Sequence, residues 1–331
     1  MNKTFVIAEM ACSHEGDPNL AISIIDAAGI ADADAIQFQI YKRDERAIKS
    51  RSDWDVLGQV EFSENTWKKL AKYSRDRYPK MEIIACIYEC QSVDLSCEIG
   101  VDAFKIHSAD LSNPQLLKYV CQTGKRIDLS TGASTLDEVE EAITTIENYS
   151  TVDIWLMFGI QNFPTPTHAA RLKYLQTLKQ HFGKPVGYQD HTDANYPSGF
   201  WLPAASMGLG IEILEKHITH DRSKRGVDSA AALNPDEFKL FVEMVRVLDE
   251  AIGDGLSKPF SEEELKYRRY VKKSCVTSVP LPKGTRLHNK YIKFMFAEEP
   301  GIPPNRLHHY VGKRVNRDIE SYEAIFEQDF S

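Results

Sequence analysis

Short apolar runs alternate with amphipathic stretches along most of this chain. Runs rich in β-branched and aromatic residues occur at 4–10 (TFVIAEM), 34–40 (DAIQFQI), 81–87, 102–106, 126–131, 152–159, 185–190 and 210–217, and their lengths predict strands. Between them, apolar positions recur at three- and four-residue spacing over 18–32, 64–76, 91–99, 113–123, 135–148, 168–182, 197–208 and 235–252, which predicts helices. Ser134 before TLDEVEEAI and Asn234 before PDEF are expected N-caps. Regular strand–helix alternation implies a parallel sheet with helical crossovers. Eight such units over about 250 residues match a closed (β/α)8 TIM barrel. The runner-up, a doubly wound open sheet, lacks a Gly-rich fingerprint after its first strand.

Beyond residue 255 the pattern changes to a charged linker with a short helix, then short strands and Pro/Gly turns. The expected division is a barrel domain over 1–255, a linker over 256–269 and a small, mostly β domain over 270–331. That last piece is small for an independent core and is expected to lean on another surface.

Composition narrows the function classes. The 331 residues are 42% hydrophobic and 27% charged, with a formal net charge of −8, which argues against nucleic acid or an anionic membrane as partner. No run reaches the roughly 18 uncharged apolar residues of a membrane span. Glu9 interrupts the apolar N-terminal run, which therefore reads as a strand rather than a signal peptide. Six dispersed cysteines read as reduced thiols, and the compartment is expected to be the cytosol.

Chemistry-bearing residues gather where barrel strands end, the face on which such folds place active sites. Strand by strand these are Glu9; Gln37 and Gln39; Cys86 and Tyr88; Lys105, Ser108 and Asp110; Ser130 and Thr131; Gln161 and Asn162; Gln189, Asp190 and His191; and Glu215, Lys216 and His217, with Asp228 in the following loop. His191 and His217 end adjacent strands, so they can share one metal ion or be two satisfied polar residues. A lysine inside AFKIHS needs an anion, either a neighbouring carboxylate or a bound phosphate. The STG turn either cradles phosphate oxygens or simply turns the chain. Glu9 can pair with Lys105 or Lys216 within the barrel.

The segments IAEMACSHEGDPNLAISIIDAA, DAIQFQIYK, GVDAFKIHSADLSNPQLLKYV, LSTGASTLDEVEEA, FPTP, PVGYQDHT and LEKHITHDRSKRGVDSAAALNPDEF resemble the sialic acid synthase family, from the first strand to the C-terminus. The resemblance implies condensation of phosphoenolpyruvate (PEP) with an N-acylated amino sugar to a nonulosonic acid. It also implies a divalent ion, Mn2+ foremost with Mg2+ or Co2+ as alternatives. The tail GKRVNRDIESYEAI is similar to the family's antifreeze-like (SAF) domain, implying a homodimer in which that domain covers the partner's active site. By resemblance, His191 and His217 are metal ligands. Lys105, Ser108 and Ser130 contact the phosphate of PEP, and Glu9, Gln39 and Asp228 lie near sugar or metal-bound water. Asp110 stands where the family has a catalytic glutamate, one methylene longer.

Several positions depart from the family pattern. Gln37 replaces a lysine that contacts PEP, Cys86 a threonine and Gln189 a serine. Gln161 and Phe163 stand for an asparagine and a tyrosine, and Glu299 for an arginine that contacts the sugar's acyl group. Losing a lysine removes about 1–4 kcal/mol of attraction for a donor with close to three negative charges. Lys224 or Arg225 in the loop after the eighth strand is the expected replacement charge. Glu299 points to an acceptor bearing an amino or other cationic group rather than acetamido alone. The readings left open are a family member using another donor, such as a keto acid in aldolase-type chemistry, and a non-catalytic sugar-binding paralogue.

Overall fold

Eight parallel strands close into a barrel in the computed structural model, which describes residues 3–195, 197–256 and 259–331. The strands are β1 (Phe5–Glu9), β2 (Ala35–Ile40), β3 (Glu82–Ile87), β4 (Ala103–Ile106), β5 (Arg126–Ser130), β6 (Ile154–Phe158), β7 (Val186–Asp190) and β8 (Ile213–His217). Each lies inside the apolar run expected for it. β1 pairs with β8 as well as β2, which closes the ring.

Around the strands run α1 (Pro18–Ile30), α4 (Glu64–Arg77), α5 (Cys90–Glu98), α6 (Pro114–Cys121), α7 (Leu136–Tyr149), α8 (Tyr174–Phe182), α9 (Ser198–Met207) and α10 (Pro235–Ile252). Two short helices not expected from periodicity, α2 (Arg43–Arg46) and α3 (Trp54–Gln59), lie between β2 and α4. The α7 cap is Thr135, not Ser134. Glu138 sits three residues after Thr135 and returns a bond to its backbone N–H, completing a capping box, while the Ser134 hydroxyl donates to Gly132 O. α8 starts at Tyr174 rather than 168, because a 3-10 turn at Thr167–Ala169 and a left-handed Arg171 (φ 47°) intervene.

Strand periodicity divides the side chains into two layers. One parity packs outward against the helices, as with Val6, Ile36, Ile83, Phe104 and Leu214. The other points inward, where Ile7, Ala35, Ile84, Ala103, Met157 and Ile213 form an apolar floor. Gly187 belongs to this floor, since a Cβ there would lie 2.5 Å from Met157 Sδ. Continuing the inward parity towards the strands' C-terminal ends leads from this floor to Glu9, Gln37, Cys86, Lys105, Gln189 and Glu215. The barrel thus changes from apolar plug to polar cup within one layer.

Asp190 and Lys216 have the opposite parity. Lys216 Nζ meets Asp190 Oδ2 at 2.6 Å with both side chains fully buried, and Asp190 also accepts from the Thr192 and Tyr188 hydroxyls. This pair belongs to the outward layer, so Lys216 does not pair with Glu9.

The chain divides into two compact units, Met1–Asp254 and Gly255–Ser331. The second holds α11 (Glu262–Tyr270) and an antiparallel pair, β9 (Ser274–Thr277) with β10 (Ile292–Met295). Its own core is built from Cys275, Leu281, Leu287, Ile302, Val315 and Ile325, among others. All six cysteines are unpaired. Among the described residues no helix is long and apolar enough to cross a membrane.

Candidate active site

A cavity of about 270 Å3 opens at the C-terminal ends of the strands. Glu9, Gln37, Gln39, Lys105, Gln161, Gln189, His191, His217 and Asp228 all line it. These residues come from β1, β2, β4, β7, β8 and the loops after β6 and β8, and inward parity is what brings the strand residues together.

At its base lies a closed polar network. Lys105 Nζ donates to Glu215 Oε2, Gln189 Nε2 donates to Glu215 Oε1 at 2.9 Å, and Ser130 Oγ donates to Gln189 Oε1 at 2.9 Å. Burial opposes the Lys105 charge, but Glu215 and its neighbours outweigh it and hold the ammonium above its usual range. Of the two anions open to Lys105 from sequence, a carboxylate is therefore present. Ser130 lies behind Gln189 and reaches the cavity only through it.

Glu9 is 2% exposed and makes no ion pair with Lys105. One carboxylate oxygen accepts from Ala11 N at 2.5 Å. Burial, and after it the Glu215 charge, push its carboxyl well above the ordinary range, against the pull of Lys105. Both effects favour the protonated form of the carboxyl. Asp228 is raised as well, chiefly by burial and against Arg46.

His191 and His217 meet edge-on, with ring centroids 5.3 Å apart. His191 Nδ1 lies 2.9 Å from Ile160 O; donation to that carbonyl leaves Nε2 with its lone pair free. His217 Nδ1 is buried without a partner. Burial lowers both pKa values, His217 strongly, with the neighbouring His191 adding to the effect. Two neutral imidazoles are suitable donors for Mn, Fe or Zn. Among the described residues no group of three or more His, Cys, Asp or Glu is arranged as a metal site. Phe163 covers the pair, 4.3 Å from His191 and 5.6 Å from His217 between ring centroids.

Four expected residues lie elsewhere. Lys105 and His107 share the inward parity of β4, so His107 lines the cavity and Ser108 does not. The 3-10 turn Ser108–Asp110 then carries Asp110 into an adjoining groove. There Asp110 accepts from Asn113 Nδ2 at 2.9 Å, and burial raises its pKa. Lys224 and Arg225 are exposed and line neither space; the loop after β8 turns them outward, and Arg225 borders a separate surface depression.

The cation that does line the cavity, besides Lys105, is Arg46 at the end of α2. Cys12, Asp53 and His107 also line it unforeseen. The available signal for Arg46 and Asp53 was the long unassigned stretch from 41 to 63, since loops of that length in a compact domain are commonly functional.

Known proteins share this architecture. The NeuB family model matches residues 24–257. The N,N'-diacetyllegionaminic acid synthase of Campylobacter jejuni is 31% identical, covering 99% of this chain and 100% of its own length. A pseudaminic acid synthase of the same species is 28% identical over 99% of this chain and 97% of that one. The crystal structure of the N-acetylneuraminic acid synthetase of Leptospira borgpetersenii aligns with a TM-score of 0.74 at 30% identity, covering 81% of this chain and 92% of that one. A full-length match to sugar-acid synthases, on a barrel whose polar cup sits at the strand ends, has one reading: this chain belongs to the NeuB family.

Proposed function

We propose that the protein is a PEP-dependent synthase of the 2.5.1 transferase type, joining PEP to an N-acylated or amino sugar. The product is a nonulosonic, sialic-acid-like acid, with inorganic phosphate released. The observation that carries this reading is the convergence of His191, His217, Lys105 and Glu9 on one cavity in a chain similar over its length to named synthases of such acids.

His191 and His217 would hold a divalent ion, Mn2+ foremost with Mg2+ or Co2+ as alternatives, which when bound polarises the acceptor carbonyl and orients water. Lys105, with Glu215 behind it, presents an ammonium to an anionic oxygen of the donor. Glu9 in its neutral form gives a proton to the acceptor's aldehyde oxygen as C3 of PEP bonds to the aldehyde carbon. The resulting carboxylate takes a proton from the water that adds at C2, and phosphate leaves by C–O cleavage, taking up the C2 hydroxyl proton as the ketone forms. Gln39, Gln161 and Asp228, which line the cavity, would bind acceptor hydroxyl or amide groups. Asp110, in the outer groove, is assigned to substrate entry rather than to proton transfer. The second unit acts as the SAF domain of a homodimer, with Glu299 favouring an acceptor that carries an amino group, and the enzyme works in the cytoplasm.

Phosphate release is the test, with Mn2+, PEP and a panel of N-acyl and amino hexoses. Acceptor-dependent release that disappears in His217→Ala is the expected result. One observation favours a second reading: Lys105 and Ser130 are already engaged by Glu215 and Gln189. A keto-acid donor would leave those bonds intact, and would give sugar-acid product from pyruvate without phosphate.

A further inference from the structure

We infer that Arg46 holds an oxyanion of the donor, its carboxylate or its phosphate, in place of the charge absent at Gln37. This rests on the proposed function and names a residue for it.

The cavity is short of available positive charge. Gln37 is neutral, with its Oε1 buried and unpartnered. Lys105 is bound to Glu215, and the Ser130 hydroxyl is spent on Gln189. Arg46 is a lining cation without an ion pair: among the described residues no carboxylate reaches ion-pair distance of it. Its guanidinium is nevertheless fixed in place, 3.8 Å from the Tyr88 ring centroid and 4.4 Å from that of Tyr41. Such stacking orients the planar fork while leaving its edge free for a bidentate acceptor.

One nitrogen of that fork is not satisfied by the protein. Arg46 Nη1 is buried and has no hydrogen-bond partner. Leaving a buried charged donor unpaired is costly, and an oxyanion completes it with the strongest class of hydrogen bond. The position suits a ligand that enters from outside. Arg46 lines both the inner cavity and the groove of about 450 Å3 that carries Asp110, Asn113 and Arg51. Tyr88, which supports the stack, also donates to Gln39 Oε1 at 3.4 Å, tying the guanidinium to the second polar residue of β2. Gln37 and Gln39 share that strand's inward face, so the replacement charge enters from the loop that follows the strand which lost it.

The experiment compares Arg46→Gln and Arg46→Lys with wild type and with a Lys224→Gln/Arg225→Gln control in the exposed loop. Steady-state phosphate release is measured with PEP and acceptor varied separately, and thermal unfolding checks each variant's fold. Arg46→Gln should raise KM for PEP by about 10–100-fold, the size of a lost charged hydrogen bond, with acceptor KM and unfolding temperature little changed. Arg46→Lys, which keeps charge but loses the fork, should fall between, and the loop control should match wild type. Pyruvate and inorganic phosphate as inhibitors separate the two oxyanions: the one whose inhibition weakens in Arg46→Gln reports the group held. A folded Arg46→Gln with wild-type KM for PEP overturns the inference, as does a change confined to acceptor KM. If the wild type neither binds PEP by calorimetry nor releases phosphate, the proposed function falls and this inference with it; turnover in the wild type with an indifferent Arg46→Gln removes the inference alone.

Discussion

Lys105 and Glu215 form an ion pair across the barrel interior, β4 to β8, with side chains 2% and 3% exposed. Their strands are not neighbours in the sheet, so the pair bridges the cup and forms its base. Gln189 supplies the other carboxylate oxygen of Glu215 with an amide hydrogen, and together they satisfy a charge pair that water cannot reach.

Breaking that pair from one side is expected to destabilise the fold. Lys105→Met leaves Glu215 buried with only an amide to balance it, a loss of about 3–5 kcal/mol. Lys105→Met/Glu215→Met removes both charges and should recover much of that loss, although neither protein should release phosphate. Chemical denaturation of both single variants and the double one gives the coupling energy. Additive effects would mean that the two groups do not depend on each other.

Gln189 fills space and bonding capacity that a smaller side chain would leave to the donor. Gln189→Ser should free the Ser130 hydroxyl and enlarge the base of the cavity. KM for PEP is expected to fall, while the lost amide bonds to Glu215 and Ser130 lower stability by about 1–3 kcal/mol. Kinetics and unfolding measured on one preparation check both signs. A rise in KM would show that Gln189 itself binds the donor.

The barrel was legible because its signal is repeated: eight apolar runs, each followed by an amphipathic helix, leave little choice of topology. The site was legible where strand parity carries it. Glu9, Gln37, Lys105, Gln189 and His217 follow the inward face of their strands, and the cavity collects them. Ser108 misses by one position, since His107 holds the inward place. Arg46 and Asp53 were beyond reach for another reason: they stand on the short helices of a long connection, where no periodicity fixes which way a side chain turns. Lys224 and Arg225 fail similarly, because the charge of a loop residue does not say which space it borders. Ion pairing was the least legible feature, as Glu9, Asp190 and Glu215 offered equivalent carboxylates to Lys105 and Lys216, and only the parity of the formed strands separates the pairs.

The two adjacent imidazoles give a prediction about metal uptake. His191→Ala and His217→Ala should each abolish Mn2+ binding followed by electron paramagnetic resonance, because two protein donors leave no spare ligand. Disrupting the loop that presents Ile160 O should weaken binding less, since it frees the His191 ring without removing it. Wild-type Mn2+ affinity in either alanine variant would exclude this pair as the metal site.

His14 gives the fold an acid-dependent contribution to stability. Its ring is 1% exposed, stacks on Phe62 at 4.2 Å and meets Trp67 edge-on, and its Nδ1 accepts from Gly16 N at 3.1 Å. Burial lowers its pKa from 6.5 to about 4. The folded value lies below the unfolded one, so the contribution is present above pH 6.5 and is lost as pH falls through the window towards 4. The loss over that window is about 3 kcal/mol. His14→Phe keeps an aromatic ring against Phe62 and removes the proton site, at the expense of the Gly16 bond. At pH 7 the variant should be no more stable than wild type; towards pH 4 the difference should shift in its favour by about 3 kcal/mol. His107, also lowered to about 4, titrates in both proteins and cancels in the comparison. Urea unfolding at several pH values measures the difference, and a gap that stays constant with pH would mean that His14 takes up its proton equally in the folded and unfolded chain.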